Sequence, residues 1–281
     1  MQEIERVAAV NDLSGFGRCS LTVTIPILSA MGYQVCPVPT AVLSSHTGYP
    51  DPLIRDFSGD MAAYLAHWEQ LGLTFACGYT GFLGDGHQAE ILEPFLQRLK
   101  EQGALRLVDP AMADHGKLYS SCAPELIPAM GRLVALASVA TPNLTELCLL
   151  TGEDYAAVVA DARCRSRVEA MARRLLAGGC GAVVVTGVEA GDNIDNCVLS
   201  GVDADPVWVS GHRVEQNFAG TGDVFASVLC GWLLRGLPLD AAVRRTTDFV
   251  CKATAATATM DVNGQDGIAF EPFLCDLVKG G

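Results

Sequence analysis

Two stretches carry residues whose types and spacing suit chemistry. Ala219-Gly220-Thr221-Gly222-Asp223 leads into Val224, Phe225, Val228, Leu229, Trp232 and Leu233. Those apolar residues recur at helical spacing, which places Asp223 in the first turn of a largely buried helix. Glycines let a ligand approach the backbone, and the N–H groups of a helix start make an anion site. A carboxylate held there could accept the proton of an attacking hydroxyl while the amides hold a transferring phosphoryl group. A simple acidic helix cap accounts for Asp223 but not for both glycines with it. The second stretch, Thr141-Pro142-Asn143-Leu144-Thr145-Glu146, also begins a helix. Its Asn-x-x-Glu spacing is close to a capping box. The alternative is an oxygen site for hydrated Mg²⁺, which keeps waters and borrows one or two carboxylates plus substrate phosphates.

Three further segments supply polar groups. Asp109-Pro110-Ala111-Met112-Ala113-Asp114 leaves a strand with two acids five apart, which suits metal or phosphate chemistry better than solvated loop charge. Ser44-Ser45-His46-Thr47-Gly48-Tyr49-Pro50 combines hydroxyls, an imidazole and an aromatic ring, a set that suits a small heteroaromatic ligand. Ser14-Gly15-Phe16-Gly17-Arg18-Cys19-Ser20 follows a strand, but Ser20 stands where a dinucleotide-binding G-x-G-x-x-G needs its third glycine. A tight turn aiming Asp12 and Ser14 at a ligand is the better reading. His67 and His87 read as surface residues, and His212 lies near the glycine loop without a clear role.

The elements that must position these groups alternate along the chain. Strands are expected at Val7–Val10, Thr74–Gly78, Leu105–Val108, Val139–Ala140 and Ala182–Thr186. Helices are expected at Ile54–Leu71, Gln88–Gln102, Cys122–Ala137, Ser166–Ala177, Thr221–Arg235 and Leu239–Met260. Asn193–Val209 reads as an antiparallel hairpin at a sheet edge. Alternation of this kind predicts an α/β fold, a mostly parallel central sheet with helices on both faces. No linker or repeat interrupts residues 1–281, so a single domain is expected. In such sheets ligands sit outside the carboxyl ends of the strands, and each segment named above follows a strand.

Composition narrows the partners. The formal charge of −13 speaks against nucleic acid, whose binding rests on neutralising phosphates. No apolar run approaches 18 residues, and the acidic start MQEIERVAAVND lacks the basic region of a secretory signal, so neither a membrane span nor secretion is expected. The eleven cysteines form no CxxC pair and read as reduced, buried small hydrophobes of a cytoplasmic protein.

Taken together, Ser45-His46-Thr47-Gly48-Tyr49, DPAMADHGKLY, TPNLTELCLLTG, VVVTG and FAGTGDVFAS resemble the ribokinase superfamily, and within it the pyridoxal (vitamin B6) kinases. The resemblance runs from about Val7 to Ala258. It implies a ribokinase-like kinase domain that moves the γ-phosphoryl of ATP to the 5′-hydroxymethyl of pyridoxal, pyridoxine or pyridoxamine. Asp223 then matches the catalytic base, and Gly220, Thr221 and Gly222 the anion hole. Asp114 and Glu146 match Mg²⁺ positions, with Asp109, Thr141 and Thr186 near ATP or a monovalent cation (K⁺ or Na⁺). Asn143 matches a phosphate contact and Thr186-Gly187 the nucleotide wall. Ser14 and Thr47 match hydrogen-bonding positions for the pyridine, with Asp12, His46 and Phe82 on the same side. A cytoplasmic homodimer is implied as well. Two features depart from the pattern. The loop after Ser14 is shorter, and Phe82 stands where a tyrosine is common, which bears on vitamer preference more than on chemistry. The rivals are a hydroxymethylpyrimidine or hydroxymethylpyrimidine-phosphate kinase, which commonly carries G-T-G-C where this chain has G-T-G-D, and a non-catalytic pyridoxal phosphate binder, which would need no base.

Overall fold

The computed structural model describes residues 4–278. The chain runs β1 (Arg6–Ser14), α1 (Ser20–Ala30), β2 (Gln34–Leu43), β3 (Ile54–Asp56), α2 (Ser58–Gln70), β4 (Cys77–Thr80), α3 (Gly86–Glu101) and β5 (Leu105–Val108). A small hairpin, β6 (Ala113–Asp114) and β7 (Lys117–Leu118), precedes α4 (Leu126–Leu136), β8 (Val139–Ala140), α5 (Leu144–Thr151), α6 (Tyr155–Val159) and α7 (Cys164–Ala177). Then follow β9 (Val183–Ala190), β10 (Asn193–Leu199), β11 (Val207–His212), α8 (Thr221–Leu234), α9 (Leu239–Thr257) and α10 (Leu274–Val278).

Nine strands form one sheet in the order β11-β10-β9-β8-β5-β4-β1-β2-β3. The pairs from β2 through β1, β4, β5 and β8 to β9 are parallel, and both margins are antiparallel. The expected fold class is the observed one. Central strands read as apolar runs because both faces are covered: Val7 to Val10 are all essentially inaccessible. One apolar layer packs α2, α3, α4, α5 and α7 against the sheet, and a second packs α1, α8 and α9 on the other face. Nine consecutive residues of α8, Val224 to Trp232, are buried. No helix among the described residues is long and apolar enough to cross a membrane.

Four expected elements differ. The strand expected at Thr74–Gly78 lies further along the chain, at Cys77–Thr80. Ile54 begins an edge strand, pairing with Leu43, and the helix starts only at Ser58, whose N–H the Asp56 carboxylate accepts at 3.1 Å. The helix expected from Cys122 begins at Leu126, because Pro124 disfavours helical backbone at the residue before it. Thr186-Gly187 does not end its strand. β9 continues to Ala190 through a bulge at which the register with β10 shifts, and Gly187 there takes a φ of 74°. The hairpin expected over Asn193–Val209 is thus the outer part of a β9-β10-β11 meander. All eleven cysteines are expected to be buried; six are, while Cys36, Cys122, Cys164 and Cys251 are half-buried and Cys275 is exposed.

Candidate active site

β1 is hydrogen-bonded to β2 on one side and β4 on the other, so successive connections leave it in opposite directions. A crevice opens at the carboxyl ends of strands around such a point. Here it is a cavity of about 590 Å³. Asp12, His46, Thr47, Phe82, Asp109, Asp114, Thr141, Asn143, Glu146, Thr186, Gly187 and the run Gly220-Thr221-Gly222-Asp223 all line it. Ser14 does not. It is fully buried behind Asp12, to whose Oδ2 its hydroxyl donates at 2.8 Å, so it reaches the cavity only through that carboxyl.

Asp223 is positioned from two directions. Asn11, on β1, donates from Nδ2 to Asp223 Oδ1 at 3.3 Å. The Asn11 orientation is fixed, since its Oδ1 accepts from the Phe82 N–H at 2.8 Å and the Asp12 N–H at 3.0 Å. Gly81 leaves room for it: a Cβ there would lie 2.3 Å from Asn11 Nδ2. The second donor is the Ser20 N–H at the start of α1. Ser20 takes a φ of 54°, a left-handed backbone that costs energy for a residue with a side chain, and its hydroxyl donates to Asp12. One strained residue thus serves both acids. Burial pushes the Asp223 carboxyl up to about 6, and the Asp12 charge adds to this, while the Ser20 and Asn11 donors oppose it. Burial likewise raises Asp12 against its two serine donors.

The turn before α8 has a steric reason for its first glycine. Gly220 takes a φ of 70°, and a Cβ there would lie 1.9 Å from the Arg18 carbonyl oxygen. Gly222 differs, because a Cβ there meets nothing within 4 Å. No side chain caps α8, and Gly220, Thr221, Gly222 and Asp223 all line the cavity, so the uncapped helix start is chemically suited to an anion.

Across the cavity Asp109 and Glu146 are both buried and both held well above the usual carboxylate range. Burial is the main cause for each; the Asp223 charge adds to it for Asp109, and the Asp109 charge for Glu146. Thr141 eases Asp109 downward, yet its hydroxyl is buried without a hydrogen bond of normal geometry. Asn143 and Glu146 form a capping box at α5. Glu146 Oε2 accepts from the Asn143 N–H at 2.8 Å and Oε1 from the Met112 N–H at 3.1 Å. Asn143 Nδ2 donates to the Ala113 carbonyl at 2.8 Å. The pair therefore also shapes the loop that carries Asp114, which is half exposed on the β6-β7 hairpin. Among the described residues no three His, Cys, Asp or Glu side chains could hold a metal by themselves. Two buried acids and the orphaned Thr141 hydroxyl lining one cavity are chemically suited to an ion that takes its other ligands from water and phosphates.

His46 is fixed in one tautomer. Its Nδ1 accepts from the Gly48 N–H at 3.1 Å, which leaves Nε2 to donate to the Gln265 carbonyl, 2.7 Å away. The ring lies between Gly17 and Gly48, where a Cβ would come within 2.3 and 2.7 Å of it. Sequence reasoning missed several of these partners: Asn11, Ser20, and the turn Asn263–Gly267 that receives His46. The Asn-Asp pair in the second half of β1 was the available signal for the first; nothing in the sequence points from residue 265 to residue 46.

Residues 73–268 match the family model described as phosphomethylpyrimidine kinase. That is well over half of the chain. The chain belongs to this family. A pyridoxine/pyridoxal/pyridoxamine kinase of Bordetella avium is 33% identical over 91% of this chain and 86% of its own length. A Bacteroides thetaiotaomicron protein, provisionally assigned as a phosphomethylpyrimidine kinase and solved with pyridoxal, is 36% identical, with a TM-score of 0.92 over 98% of this chain and 96% of its own. The pyridoxal kinase of Lactobacillus plantarum is 30% identical, with a TM-score of 0.88 over 98% of this chain and 97% of its own. A hydroxymethylpyrimidine/phosphomethylpyrimidine kinase of Streptomyces coelicolor is 33% identical, over 63% of this chain and 62% of its own length. The family match begins only at residue 73, so β1 and the loop of residues 44–50 lie outside it, whereas the two structural likenesses cover 98% of the chain.

The buried acids of this family member give a pH-dependent stability. A carboxyl whose folded pKa is raised favours folding fully only below its ordinary pKa, and that contribution is lost as pH rises through the folded value. At pH 8, therefore, Asp109 must keep its proton or ionise out of water, and either disfavours the ligand-free fold. Asp109→Asn is expected to raise the melting temperature at pH 8 by about 2–4 °C or more and to leave it nearly unchanged at pH 4. Thermal melts in metal-free buffer at both pH values check this. A variant less stable than the parent at pH 8 would show that the carboxylate is held by partners stronger than its burial cost.

Proposed function

We propose that this chain phosphorylates the 5′-hydroxymethyl group of pyridoxal, pyridoxine or pyridoxamine with ATP, and that Asp223 is the catalytic base. The observation that carries the reading is the placement of Asp223. A buried carboxyl raised to about 6 stands in the first turn of an uncapped helix, beside a glycine whose side-chain space is empty. Asp223 takes the proton of the substrate hydroxyl as its oxygen attacks the γ-phosphorus, and the β–γ bridging oxygen leaves with ADP. The Thr221, Gly222 and Asp223 amides receive the charge on the transferring group. Lining the cavity, Thr47, His46, Phe82 and Asp12 face the pyridine, with Ser14 acting through Asp12. Thr186 and Gly187 line the nucleotide side, with Asn143 toward the phosphates. Asp114 and Glu146 would hold hydrated Mg²⁺, with Asp109, Thr141 and Thr186 near ATP or a monovalent cation. Bound there, the divalent ion would neutralise charge on the phosphate oxygens. We read the chain as one kinase domain acting as a cytoplasmic homodimer.

The family description and the Streptomyces relative favour a second substrate, hydroxymethylpyrimidine. A coupled assay of ADP release across the three vitamers and hydroxymethylpyrimidine decides between them. Turnover of the pyrimidine alone would overturn the vitamer reading.

If Asp223 is the base, Asp223→Asn lowers kcat by about 10²–10⁴-fold while substrate binding survives. In the parent enzyme kcat falls as pH drops through about 6, because protonated Asp223 accepts nothing. A folded Asn variant with near-parental turnover would leave Asp223 a helix cap.

The two glycines should separate. Gly220→Ala collides with the Arg18 carbonyl and costs more than about 1 kcal/mol of stability, read as a lower melting temperature. Gly222→Ala fits the free protein and keeps its melting temperature, yet lowers kcat/KM for ATP by about tenfold or more, because the methyl occupies phosphate space. Unchanged kinetics in the second variant would remove the phosphate from this turn.

A further inference from the structure

The turn Asn263–Gly267 lies at the far end of the chain from the loop it meets, and it touches three loops of the site at once. Toward the loop of residues 44–50, the Gln265 carbonyl accepts from His46 Nε2 at 2.7 Å and Asp266 Oδ1 accepts from the Tyr49 hydroxyl. Toward the loop after β1, the Asp266 carbonyl accepts from the Arg18 N–H at 3.1 Å. Toward the glycine loop, the Gly264 carbonyl accepts from the Ala219 N–H at 3.0 Å, and the Ala219 carbonyl in turn accepts from the Ile268 N–H at 3.2 Å.

The contacts are close as well as polar. A Cβ on Gly264 would lie 2.5 Å from the Asn217 carbonyl oxygen, and one on Gly267, where φ is 87°, 2.7 Å from Arg18 Cβ. The turn is itself braced. Asn263 Oδ1 accepts from the Gln265 N–H at 3.1 Å, and the chain beyond is pinned by buried Ile268 and Phe270 and by the Ala269 N–H donating to Thr257 Oγ1 at 2.9 Å. A rigid support touching two loops makes displacement of one felt by the other, since packed contacts this tight have few alternative arrangements.

We propose that this turn is a positioning element that holds the substrate loop of residues 44–50 in register with the glycine loop of residues 217–222, with Asp266 the positioning residue that links them through Tyr49. Neither Asp266 nor Tyr49 lines the cavity, and neither touches the reacting atoms. Their effect is on the geometry between the groups that face the acceptor and the amides that face the phosphoryl group. A misplacement there lowers turnover without weakening the nucleotide's own contacts. The kinetic part rests on the vitamer kinase reading; the coupling between loops does not.

The test uses the full-length protein with Tyr49→Phe, Asp266→Ala and Asp266→Asn. Amide hydrogen exchange is first measured without ligands. A hydroxyl–carboxylate hydrogen bond is among the stronger ones, so its loss should speed exchange about tenfold. Tyr49→Phe, a change in one loop, is expected to speed exchange at Arg18 and across residues 217–222 as well as in its own loop. Asp266→Ala should do the same, and Asp266→Asn, whose amide oxygen still accepts from Tyr49, should restore most protection. Faster exchange confined to residues 44–50 in Tyr49→Phe would overturn the coupling. Kinetics then follow, well below the melting temperatures. Asp266→Ala should raise the vitamer KM and lower kcat by about tenfold each with the ATP KM unchanged, and the Tyr49→Phe/Asp266→Ala double variant should be no worse than the Asp266 variant alone. Lower melting temperature with parental KM and kcat, or additive losses in the double variant, would make the turn a structural brace only. Absence of vitamer turnover in the parent enzyme, with exchange still coupled, would overturn the functional reading and leave the coupling in place.

Discussion

Everything at the carboxyl edge of this sheet is arranged around buried negative charge. Asp12, Asp109, Glu146 and Asp223 meet there out of water, and burial raises the pKa of each. Isolated ionised carboxyls are costly in such a place unless donors or cations answer them. The protein answers two of them with donors it can fix sterically: Ser20 and Asn11 at Asp223, Ser14 and Ser20 at Asp12. Those donors come from β1 and the start of α1, so the first crossover exists as much to supply hydrogen bonds as to cover the sheet. Glu146 is answered by backbone amides alone, and Asp109 has no comparable set. On that wall burial therefore favours the protonated, neutral carboxyls. On the Asp223 wall the raised carboxyl remains a usable proton acceptor near neutral pH.

The same economy explains the glycines. Gly81 clears space for Asn11, Gly17 and Gly48 for the His46 ring, and Gly220 for the Arg18 carbonyl. Each is dictated by protein atoms. Gly222 alone in the anion loop is dictated by none. An ordinary capped helix would have no use for it, which makes emptiness beside an uncapped helix start the more informative observation.

Much of this was legible in the sequence because it is local. The alternation of apolar runs with helical periodicity is set by each element's own burial, and it gave the parallel sheet and both helical layers. The glycine loop, the Asn143–Glu146 pair and the acids after β5 were legible for the same reason, since backbone position and side chain are specified within a few residues. What stayed hidden depends on distant partners. Ile54 is a strand residue only because Leu43 lies beside it, and its amphipathic surroundings read as helix until that pairing is known. Ser14 reads as a ligand contact from spacing, but the depth at which β1 enters the core turns its hydroxyl onto Asp12. β9 passes through Thr186-Gly187 because β10 doubles back to pair with it.

The Asn143–Glu146 pair shows why a cap and a ligand site need not compete. As a capping box it satisfies amides at the start of α5, and through the Met112 N–H and the Ala113 carbonyl it also fixes the loop bearing Asp114. Each Glu146 oxygen that accepts an amide still has a second lone pair, and Asn143 Nδ2 a second hydrogen. The capping bonds set the direction in which those remaining valences point. A carboxylate fixed by two amides on a rigid helix start is better placed to meet an incoming hydrated ion than one that must be ordered when the ion arrives, because the entropy of ordering has already been lost in folding. On the proposed function, the structural bond is what would fit the position for binding, and the two readings of N-x-x-E would be successive uses of one geometry.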